Sequence, residues 1–243
     1  MKQKIFVSLI YQTIDVLVSF VFYVIYSINI REKEKNPGIV LSFDDYFPDA
    51  WENYFDLFDK YNVKVTFFVT KDSVTQFMLN AQKRGYEIGY HTISHPSLPA
   101  LTKEQFYKET ISCIDVFRQN GIKLTSFAYT FGNYEEWMHE ELLKYYKIVR
   151  GFGGILKPYK INDLKFGFID SDSIDNYTWK TDLSFRRRIN KAIQMAKVSG
   201  KIVILTSHSI SSEDWAITPE RLEYLLKKAQ KNSLTFYTFR DLQ

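Results

Sequence analysis

The chain has 243 residues, 45% of them hydrophobic, which suits one large packed domain or two small ones. Its 32 basic and 28 acidic residues are spread along the chain and leave a net charge of +4, so no nucleic acid partner is expected. The single cysteine, Cys113, excludes an internal disulfide and a cysteine-based metal cluster, and its helical surroundings favour a buried structural thiol.

The N-terminal part of the chain is unlike the rest. Residues 5–30 form an apolar run with one charge, Asp15, and two amides, Gln12 and Asn29. At about 1.5 Å per helical residue, such a run can cross a hydrocarbon layer of roughly 30 Å. Because a small-residue cleavage site is not evident, residues 1–36 are predicted to be an uncleaved membrane anchor rather than a signal peptide. A soluble element is the alternative, since Asp15 is costly in lipid.

The stretch "GIVLSFDDYF", residues 38–47, ends a strand-like apolar run with two adjacent carboxylates, Asp44 and Asp45. Adjacent residues of a strand point to opposite faces, so the two carboxylates can have different surroundings and different roles. Pro48 follows closely, and an aspartate that caps a helix is the simpler interpretation. This stretch alone leaves both interpretations open.

From residue 37 onward, short strand-like runs alternate with amphipathic helical patterns. The strands are predicted at 38–43, 63–69, 86–90, 124–129, 147–152, 164–169, 201–207 and 234–239. This alternation predicts parallel strands joined by helical crossovers, and its length favours a single α/β domain over residues 37–243. The expected fold is a distorted or incomplete (β/α) barrel of seven or eight strands, with functional residues at the carboxyl ends of the strands.

The third predicted strand is followed by two histidines. "YEIGYHTISHPSL" places His91 and His95 one helical turn or one tight loop apart. Two imidazoles at this spacing can bind one ion, and a carboxylate is the natural third ligand of an open catalytic site. Two surface histidines in a proline-containing loop are the alternative, but the aspartate pair at another strand end favours a metal site.

The remaining two histidines have different surroundings. "KIVILTSHSI" places His208 just after the seventh predicted strand, where it can reach the same face of a barrel as His91 and His95. A catalytic role is favoured over a capping or core histidine. By contrast, His139 lies in the charged helical pattern "EEWMHEELLKYY" and is predicted to be a solvated surface residue.

Four of these motifs, taken together, resemble a known family. They are "SFDD" (42–45), "HTISHPSL" (91–98), "FAYTFG" (127–132) and "ILTSHS" (204–209), and their order and strand-end positions are similar to those of the polysaccharide deacetylase family. This family comprises carbohydrate esterases related to the nodulation oligosaccharide deacetylases. The resemblance covers about residues 37–243 and implies that this range is a deacetylase catalytic domain.

The resemblance implies roles for both motifs near the start of the domain. In the family, the first aspartate of the "TFDD"-type motif is the general base and the second is a metal ligand, which implies these roles for Asp44 and Asp45. The two histidines of the second motif complete the metal site, which implies that His91 and His95 are ligands. The implied cofactor is a divalent metal ion, with zinc favoured.

The later motifs imply further roles. His208 corresponds to the general acid, and Leu205 is expected to line the pocket for the acetyl methyl group. A backbone N–H near Phe131 is expected to stabilise the oxyanion, and Phe131 is expected to contact the substrate. The metal, the base and the acid together suit the hydrolysis of an amide.

The sequence departs from the family in its third and fourth motifs. The third commonly reads R-x-P-Y-G and its arginine positions the base, whereas this chain has Ala128 and Phe131 at the arginine and tyrosine positions. "FAYTFG" is nearer to the "FAYPYG" of the subgroup that acts on exported poly-N-acetylglucosamine. The fourth motif, an aspartate and a tryptophan that support the acid histidine, has four unassigned candidates: Asp170, Asp172, Asp175 and Trp179.

The resemblance thus implies a metal-dependent hydrolase that removes N-acetyl groups from N-acetylhexosamine units of a cell-surface or exported polysaccharide. Such an enzyme is expected at the cell membrane with an extracytoplasmic catalytic domain, or secreted. One alternative is a catalytically weak or inactive metal-containing module that binds glycans, and another is a small-molecule amidase. Retention of five costly polar groups on one face favours the enzyme.

Overall fold

The computed structural model describes residues 37–153, 156–160 and 167–243. The predicted membrane anchor, residues 1–36, lies outside the described residues. Among the helices that are described, none is both long and apolar enough to span a bilayer.

The strands of the described chain follow the predicted order. They are β1 (Gly38–Phe43), β2 (Thr66–Val69), β3 (Glu87–Tyr90), β4 (Ser126–Ala128), β5 (Ile148–Phe152), β6 (Phe168–Ser173), β7 (Ile202–Ser207), β8 (Ser209–Ile210), β9 (Ala216–Ile217) and β10 (Thr235–Tyr237). Parallel pairing joins β1 to β7 in chain order, and β7 also pairs with β1 along its whole length. The described strands therefore form a closed seven-stranded parallel barrel, which confirms the predicted architecture.

The tenth strand occupies the end of the barrel away from the strands' carboxyl ends. Residues 38–40 of β1 pair with β10, whereas Ser42 and Phe43 of the same strand pair with β2. After β10, the 3-10 helix Arg240–Leu242 continues across this end. Buried Glu87 accepts hydrogen bonds there from the Arg240 backbone N–H at 2.7 Å and from Thr66 Oγ1 at 2.9 Å. The carboxyl ends of the strands are thereby left as the open end.

The helices lie between successive strands and surround the barrel. They are α1 (Pro48–Glu52), α2 (Phe55–Lys60), α3 (Gln76–Lys83), α4 (Lys103–Thr110), α5 (Ile114–Gln119), α6 (Glu136–Leu142), α7 (Asp182–Ser199) and α8 (Pro219–Lys231). Several helix ends have clear sequence signals. A capping box of Thr102 and Gln105 begins α4, and Gly200 ends α7 with a left-handed φ of 68°.

The residue before α1 decides between the two interpretations of the aspartate pair. The helix begins at Pro48, and the capping position is Phe47, which makes no side-chain capping bond. The helix-cap interpretation of Asp44 and Asp45 is therefore wrong.

Apolar side chains pack in two cores because neighbouring strand residues point to opposite faces. The smaller core fills the barrel, and the larger one lies between the strands and the helices. In β7, Ile204 belongs to the inner core and Leu205 to the outer core. Cys113 is buried in the outer core, as expected for a structural thiol.

Two expectations about local structure were wrong. The sixth strand was predicted at 164–169; residues 164–166 lie outside the described residues, and β6 (Phe168–Ser173) continues past the predicted end because its polar residues have partners inside the protein. Asp172, for example, pairs with Arg188 of α7. His139 is not a solvated residue, because its ring packs 4.6 Å from Phe168 and burial lowers its pKa.

Candidate active site

A cavity of about 290 Å³ lies at the carboxyl ends of the strands. Its lining residues come from the carboxyl ends of five strands, β1, β3, β4, β5 and β7, and from the β8–β9 loop: Asp44, Asp45, His91, His95, Tyr129, Phe131, Phe152, His208 and Trp215. The structure therefore brings six of the seven predicted site residues to one cavity. Leu205 is the seventh, and it lies elsewhere.

Asp45, His91 and His95 form a cluster whose atoms can bind a metal. Asp45 Oδ1 lies 3.4 Å from His91 Nε2 and 3.2 Å from His95 Nε2, and the ligand atoms all lie within 4.8 Å of one another. No hydrogen-bond donor satisfies the buried Asp45 Oδ1. His91 Nδ1 donates to the Ala128 carbonyl at 2.8 Å, which orients His91 Nε2 toward Asp45, where this nitrogen can bind a metal.

The charge of Asp45 also suits a metal ligand. Burial raises the pKa of Asp45, but the adjacent imidazoles of His91 and His95, with a smaller effect of His208, outweigh burial. The pKa of Asp45 is consequently held well below its ordinary value, and the carboxylate is ionised. One oxygen and two nitrogens within this distance fit a divalent cation, and zinc is commonly bound by this set.

The loop that carries the two histidines is tied to α4. Glu109 Oε2 accepts hydrogen bonds from the backbone N–H groups of Ile93 at 3.0 Å and Ser94 at 2.9 Å. Glu109 Oε1 accepts from Ser94 Oγ at 2.8 Å, and Thr92 Oγ1 accepts from the His95 N–H at 3.0 Å. These bonds hold the loop between the two imidazoles in a single conformation.

Backbone strain is concentrated around the cavity. Asp45, Thr92, His95 and Phe131 have φ values of 74°, 74°, 58° and 57°, in the left-handed region that non-glycine residues rarely adopt. Each such residue costs on the order of 1–2 kcal/mol. Strain of this kind persists only where surrounding contacts hold it, and in proteins it clusters at functional sites.

Asp44 is buried beside a buried arginine. Its Oδ2 accepts a hydrogen bond from Arg150 Nη2, whereas its Oδ1 has no hydrogen-bond partner. Arg150 is fully buried, donates to Ser171 Oγ at 2.7 Å and packs against the Phe68 ring at 5.0 Å. One oxygen of Asp44 is thus fixed, and the other is available to accept a proton.

Arg150 lies on the strand next to position 128, where the resemblance to the family predicted an arginine. Ala128 of β4, at that position, pairs in register with Arg150 of β5. The guanidinium therefore reaches Asp44 from the neighbouring strand. Sequence reasoning missed Arg150, although a charge within the otherwise apolar run "IVRGF" is a signal, since a charged strand residue is rarely buried without a partner.

His208 is held by a fully buried carboxylate. His208 Nδ1 donates to Asp175 Oδ2 at 2.9 Å, and Asp175 Oδ1 accepts from Ser207 Oγ at 2.6 Å. Burial lowers the pKa of His208, but the Asp175 hydrogen bond and the charges of Asp175, Asp44 and Asp45 outweigh burial and raise it. His208 consequently keeps its proton to higher pH than a free histidine.

Only one of the four candidates for the fourth motif lies against His208. Asp175 makes that contact, whereas Asp172 pairs with Arg188. The Trp179 indole N–H donates to the Ser173 carbonyl at 2.8 Å, and the Asp170 backbone bonds to a tyrosine hydroxyl. The structure thereby distinguishes Asp175, which the sequence did not.

Leu205 does not line the cavity. It is fully buried in the outer core, because alternation along β7 turns the next residue, Thr206, into the barrel, where it shares a hydrogen bond of 2.5 Å with Ser42. The expected contact of Leu205 with an acetyl methyl group is therefore not supported by its position.

Aromatic rings form much of the cavity rim. Phe131 is 59% exposed and its ring centroid lies 4.6 Å from that of His95. The Phe152 and Trp215 rings lie 5.7 and 5.4 Å from His208. Sequence reasoning missed Phe152 and Trp215, and no spacing or motif in the sequence distinguishes them from the many other aromatic residues.

Comparisons with known proteins agree with this geometry. Residues 31–146 match the family model for polysaccharide deacetylase. The peptidoglycan-N-acetylglucosamine deacetylase PgdA of Listeria monocytogenes is 28% identical over 118 residues, which are 46% of this chain and 25% of that protein. The match therefore spans about a quarter of the length of this relative.

Solved structures share the fold at low sequence identity. The peptidoglycan deacetylase PdaC from Bacillus subtilis has a TM-score of 0.62 at 18% identity and covers 86% of this chain and 90% of its own. The chitin deacetylase from the fungus Colletotrichum lindemuthianum has a TM-score of 0.62 at 16% identity, with coverage of 86% and 89%. The resemblance inferred from the motifs is confirmed, and the subgroup acting on poly-N-acetylglucosamine stays a prediction.

Proposed function

This chain carries a domain of the polysaccharide deacetylase family, and we propose that it is a metal-dependent hydrolase that removes N-acetyl groups from N-acetylhexosamine units of a polysaccharide. One observation carries the proposal. A cluster suited to a metal, a carboxylate with one free oxygen and a carboxylate-bound histidine all border a single cavity. A metal, a general base and a general acid together suit the hydrolysis of an amide.

We assign the metal site to Asp45, His91 and His95, with zinc as the favoured ion. The ionised carboxylate, the unpartnered Asp45 Oδ1 and the orientation of His91 Nε2 toward Asp45 support this assignment. When bound, such an ion polarises a carbonyl and lowers the pKa of water from about 15.7 toward about 7. Asp45, His91 and His95 would hold such an ion at the cavity, beside Asp44 and His208.

Asp44 acts as the general base in this proposal. Its free Oδ1 accepts the proton of the attacking water, while Arg150 holds Oδ2 and so prevents the carboxylate from rotating.

The acetamide oxygen gains negative charge during attack, and a backbone N–H near Phe131 would stabilise that charge. A glycine follows Phe131 because a Cβ at Gly132 would lie 2.7 Å from the Phe152 carbonyl oxygen.

His208 acts as the general acid. Asp175 holds Nδ1, so Nε2 is the nitrogen that can deliver a proton to the departing amine. An amine leaves poorly without this proton, and a positioned acid contributes a factor on the order of 10² to 10⁴.

The substrate class is inferred from similar proteins and from the third motif, and the cellular location from the N-terminal sequence. The names of PgdA and of the chitin deacetylase specify polymers of N-acetylated sugars, and "FAYTFG" favours exported poly-N-acetylglucosamine. We infer that the enzyme acts outside the cytoplasm, either anchored by residues 1–36 or secreted. The apolar run at residues 5–30 supports the anchor.

Acetate release tests the proposed function. Full-length protein loaded with zinc is expected to release acetate from N-acetylglucosamine oligomers, with one free amine for each acetate. Chelation of the metal should abolish release, and added zinc should restore it, because the cluster supplies the ligands of one ion. Absence of acetate from every oligomer tested, in metal-loaded protein, would contradict the proposal.

A glycan-binding module without efficient catalysis was the main alternative. Its main support was Ala128 in place of the family arginine. Arg150 removes that support, because its guanidinium is bonded to the base. A binding module would bind the oligomers without releasing acetate, whereas a small-molecule amidase would hydrolyse simple acetamides and ignore the oligomers.

A further inference from the structure

Trp215 lies where the cavity opens to solvent. It belongs to the loop between β8 and β9, lines the cavity and is 50% exposed. Its ring centroid is 5.4 Å from that of His208, with an interplanar angle of 75°. His208, the proposed general acid, and the exposed Trp215 indole are therefore immediate neighbours. The proposed reaction gives the indole no role.

A second aromatic ring extends this surface away from the cavity. Tyr177 is 51% exposed and stacks on Trp215, with ring centroids 4.9 Å apart and planes 19° apart. Tyr177 does not itself line the cavity. The two rings, which we call the aromatic ledge, thus lead from His208 outward over the protein surface.

The aromatic ledge is held by backbone and side-chain hydrogen bonds between its two loops. The Tyr177 N–H donates to the Asp214 carbonyl at 2.8 Å, and the Asn176 N–H donates to the Ala216 carbonyl at 2.7 Å. The Asn176 side-chain amide donates to the Glu213 carbonyl at 2.8 Å. A surface that is already ordered loses little conformational entropy when a ligand binds.

The size of the cavity indicates what the aromatic ledge contacts. At about 290 Å³ it is at the lower limit of small-molecule pockets, which hold roughly 300–1,000 Å³, and this suits a single sugar unit. Neighbouring units of a polysaccharide must therefore lie outside the cavity. Rigid aromatic side chains give a large contact area to such neutral, partly apolar ligands at low entropic cost.

We propose that the aromatic ledge binds the N-acetylhexosamine unit next to the one that is deacetylated. This inference rests on the proposed function and adds a specificity determinant to the same site. Contact with the second unit orients the acetamide of the first beside His208, so binding energy from a remote part of the substrate assists the reaction. Trp215 makes the contact, and Tyr177 positions the Trp215 ring.

Kinetics on substrates with and without a second sugar test the proposal. The probes are N-acetylglucosamine pentamers, β-1,4- or β-1,6-linked, whichever the wild type turns over faster, and 4-nitrophenyl acetate, which has no second unit. We expect Trp215→Ala to lower the ratio of kcat/KM for the pentamer to kcat/KM for the ester about tenfold, about 1.4 kcal/mol. Trp215→Phe should retain most of the ratio. Equal losses on both substrates would assign Trp215 a purely structural role and overturn the proposal.

A binding measurement separates failure of this proposal from failure of the proposed function. In an Asp44→Asn background, calorimetry should show that Trp215→Ala weakens pentamer binding about tenfold, whether or not the wild type releases acetate. Unchanged affinity would overturn the proposal even in an active deacetylase. Tyr145→Ala is the matched control, since Tyr145 is 48% exposed and precedes β5 at the opposite end of the barrel.

Discussion

Asp44 and Asp45 are adjacent in the sequence, but their carboxylates have different surroundings. Asp44 points into the barrel and meets the guanidinium of Arg150, whereas Asp45 adopts a left-handed conformation and meets the imidazoles of His91 and His95. Adjacent strand residues point to opposite faces, which directs the two side chains apart, and the positive φ of Asp45 changes the direction of its side chain further. The two aspartates are therefore suited to two different roles.

Exchange of each aspartate for asparagine tests this division. Asp44→Asn is expected to retain one zinc per chain and to lose at least about 100-fold of acetate release, the usual contribution of a positioned base. Asp45→Asn is expected to lose both zinc and activity, because it removes one of three ligands. Metal analysis and an acetate assay on the same samples are the measurements. Equal metal loss in both variants would show that the roles are assigned wrongly.

Arg150 and Asp44 form an ion pair with almost no solvent exposure. Arg150→Met leaves the Asp44 charge buried without a partner, so we expect the free energy of unfolding to fall by about 3 kcal/mol. Adding Asp44→Asn should recover much of this loss, since the unpaired charge is then gone. Denaturant unfolding of the two single variants and the double variant measures the coupling.

A control for the Arg150 variants is Arg186→Met. Arg186 pairs with Asp182 on the exposed face of α7, where an ion pair contributes little. Its removal should change stability by less than about 1 kcal/mol. Additive effects of Arg150→Met and Asp44→Asn would contradict a direct interaction between these two residues.

The raised pKa of His208 predicts a pH dependence. His208 carries the proton that a general acid needs below this pKa and loses it as the pH rises through the pKa. We therefore expect kcat/KM for amide substrates to fall on the alkaline side. Asp175→Asn removes the charge that raises the pKa, so the alkaline limb should move to lower pH. Asp172→Asn is the control, because Asp172 pairs with Arg188 instead. An unmoved limb in Asp175→Asn would contradict the assignment.

At the scale of elements, α4 holds the loop that carries His91 and His95, two of the proposed metal ligands. Glu109 lies near the end of this helix and accepts three hydrogen bonds from the loop between His91 and His95. The carboxylate is separated from the metal cluster by this loop, so it acts on the metal only through the backbone. Partners of this kind typically change metal affinity 10- to 100-fold when they are removed.

Glu109→Ala is accordingly expected to weaken zinc binding about tenfold while the fold remains intact. Competition with a chromophoric zinc chelator measures the affinity, and circular dichroism checks the fold. Glu104→Ala, on the exposed first turn of the same helix, should leave zinc affinity unchanged. Equal affinities for the two variants would show that the loop does not need Glu109.

At the scale of the whole molecule, barrel closure assembles the site. The β1–β7 pairing places the Asp44 N–H 2.9 Å from the Ser207 carbonyl, so Asp44 and His208 become neighbours despite their separation in the chain. The opposite end of the barrel is closed by β10 and Arg240–Leu242. Substrate can therefore approach only at the carboxyl ends of the described strands.

The N-terminal segment gives a prediction for the full chain. Residues 1–36 lie outside the described structure, and the apolar run at 5–30 predicts that full-length protein partitions with membranes. A variant that begins at Pro37 should remain in the aqueous fraction. Fractionation and immunoblotting of both forms measure this. Full-length protein that is soluble without detergent would contradict the anchor.

Much of the fold could be predicted because its signals are local. Strand-like runs and helical periodicity predicted the barrel, and Thr102 begins a helix and Gly200 ends one, as their chemistry favours. Strand-end motifs identified Asp44, Asp45 and the histidines, since functional residues of a barrel collect at these ends. The predicted end of β6 was wrong, because the partners of its polar residues are distant in sequence.

Contacts between strands were decided only by the tertiary structure. The register of β4 and β5 brings Arg150 to Asp44, and the path of the chain after β6 selects Asp175 among four candidates. Alternation along β7 removes Leu205 from the cavity, while the β8–β9 loop brings Trp215 to it. The sequence by itself determined which residue types stand at the strand ends. Which side chains touch depends on register and barrel closure, and these arise from the packing of the whole chain rather than from any local pattern.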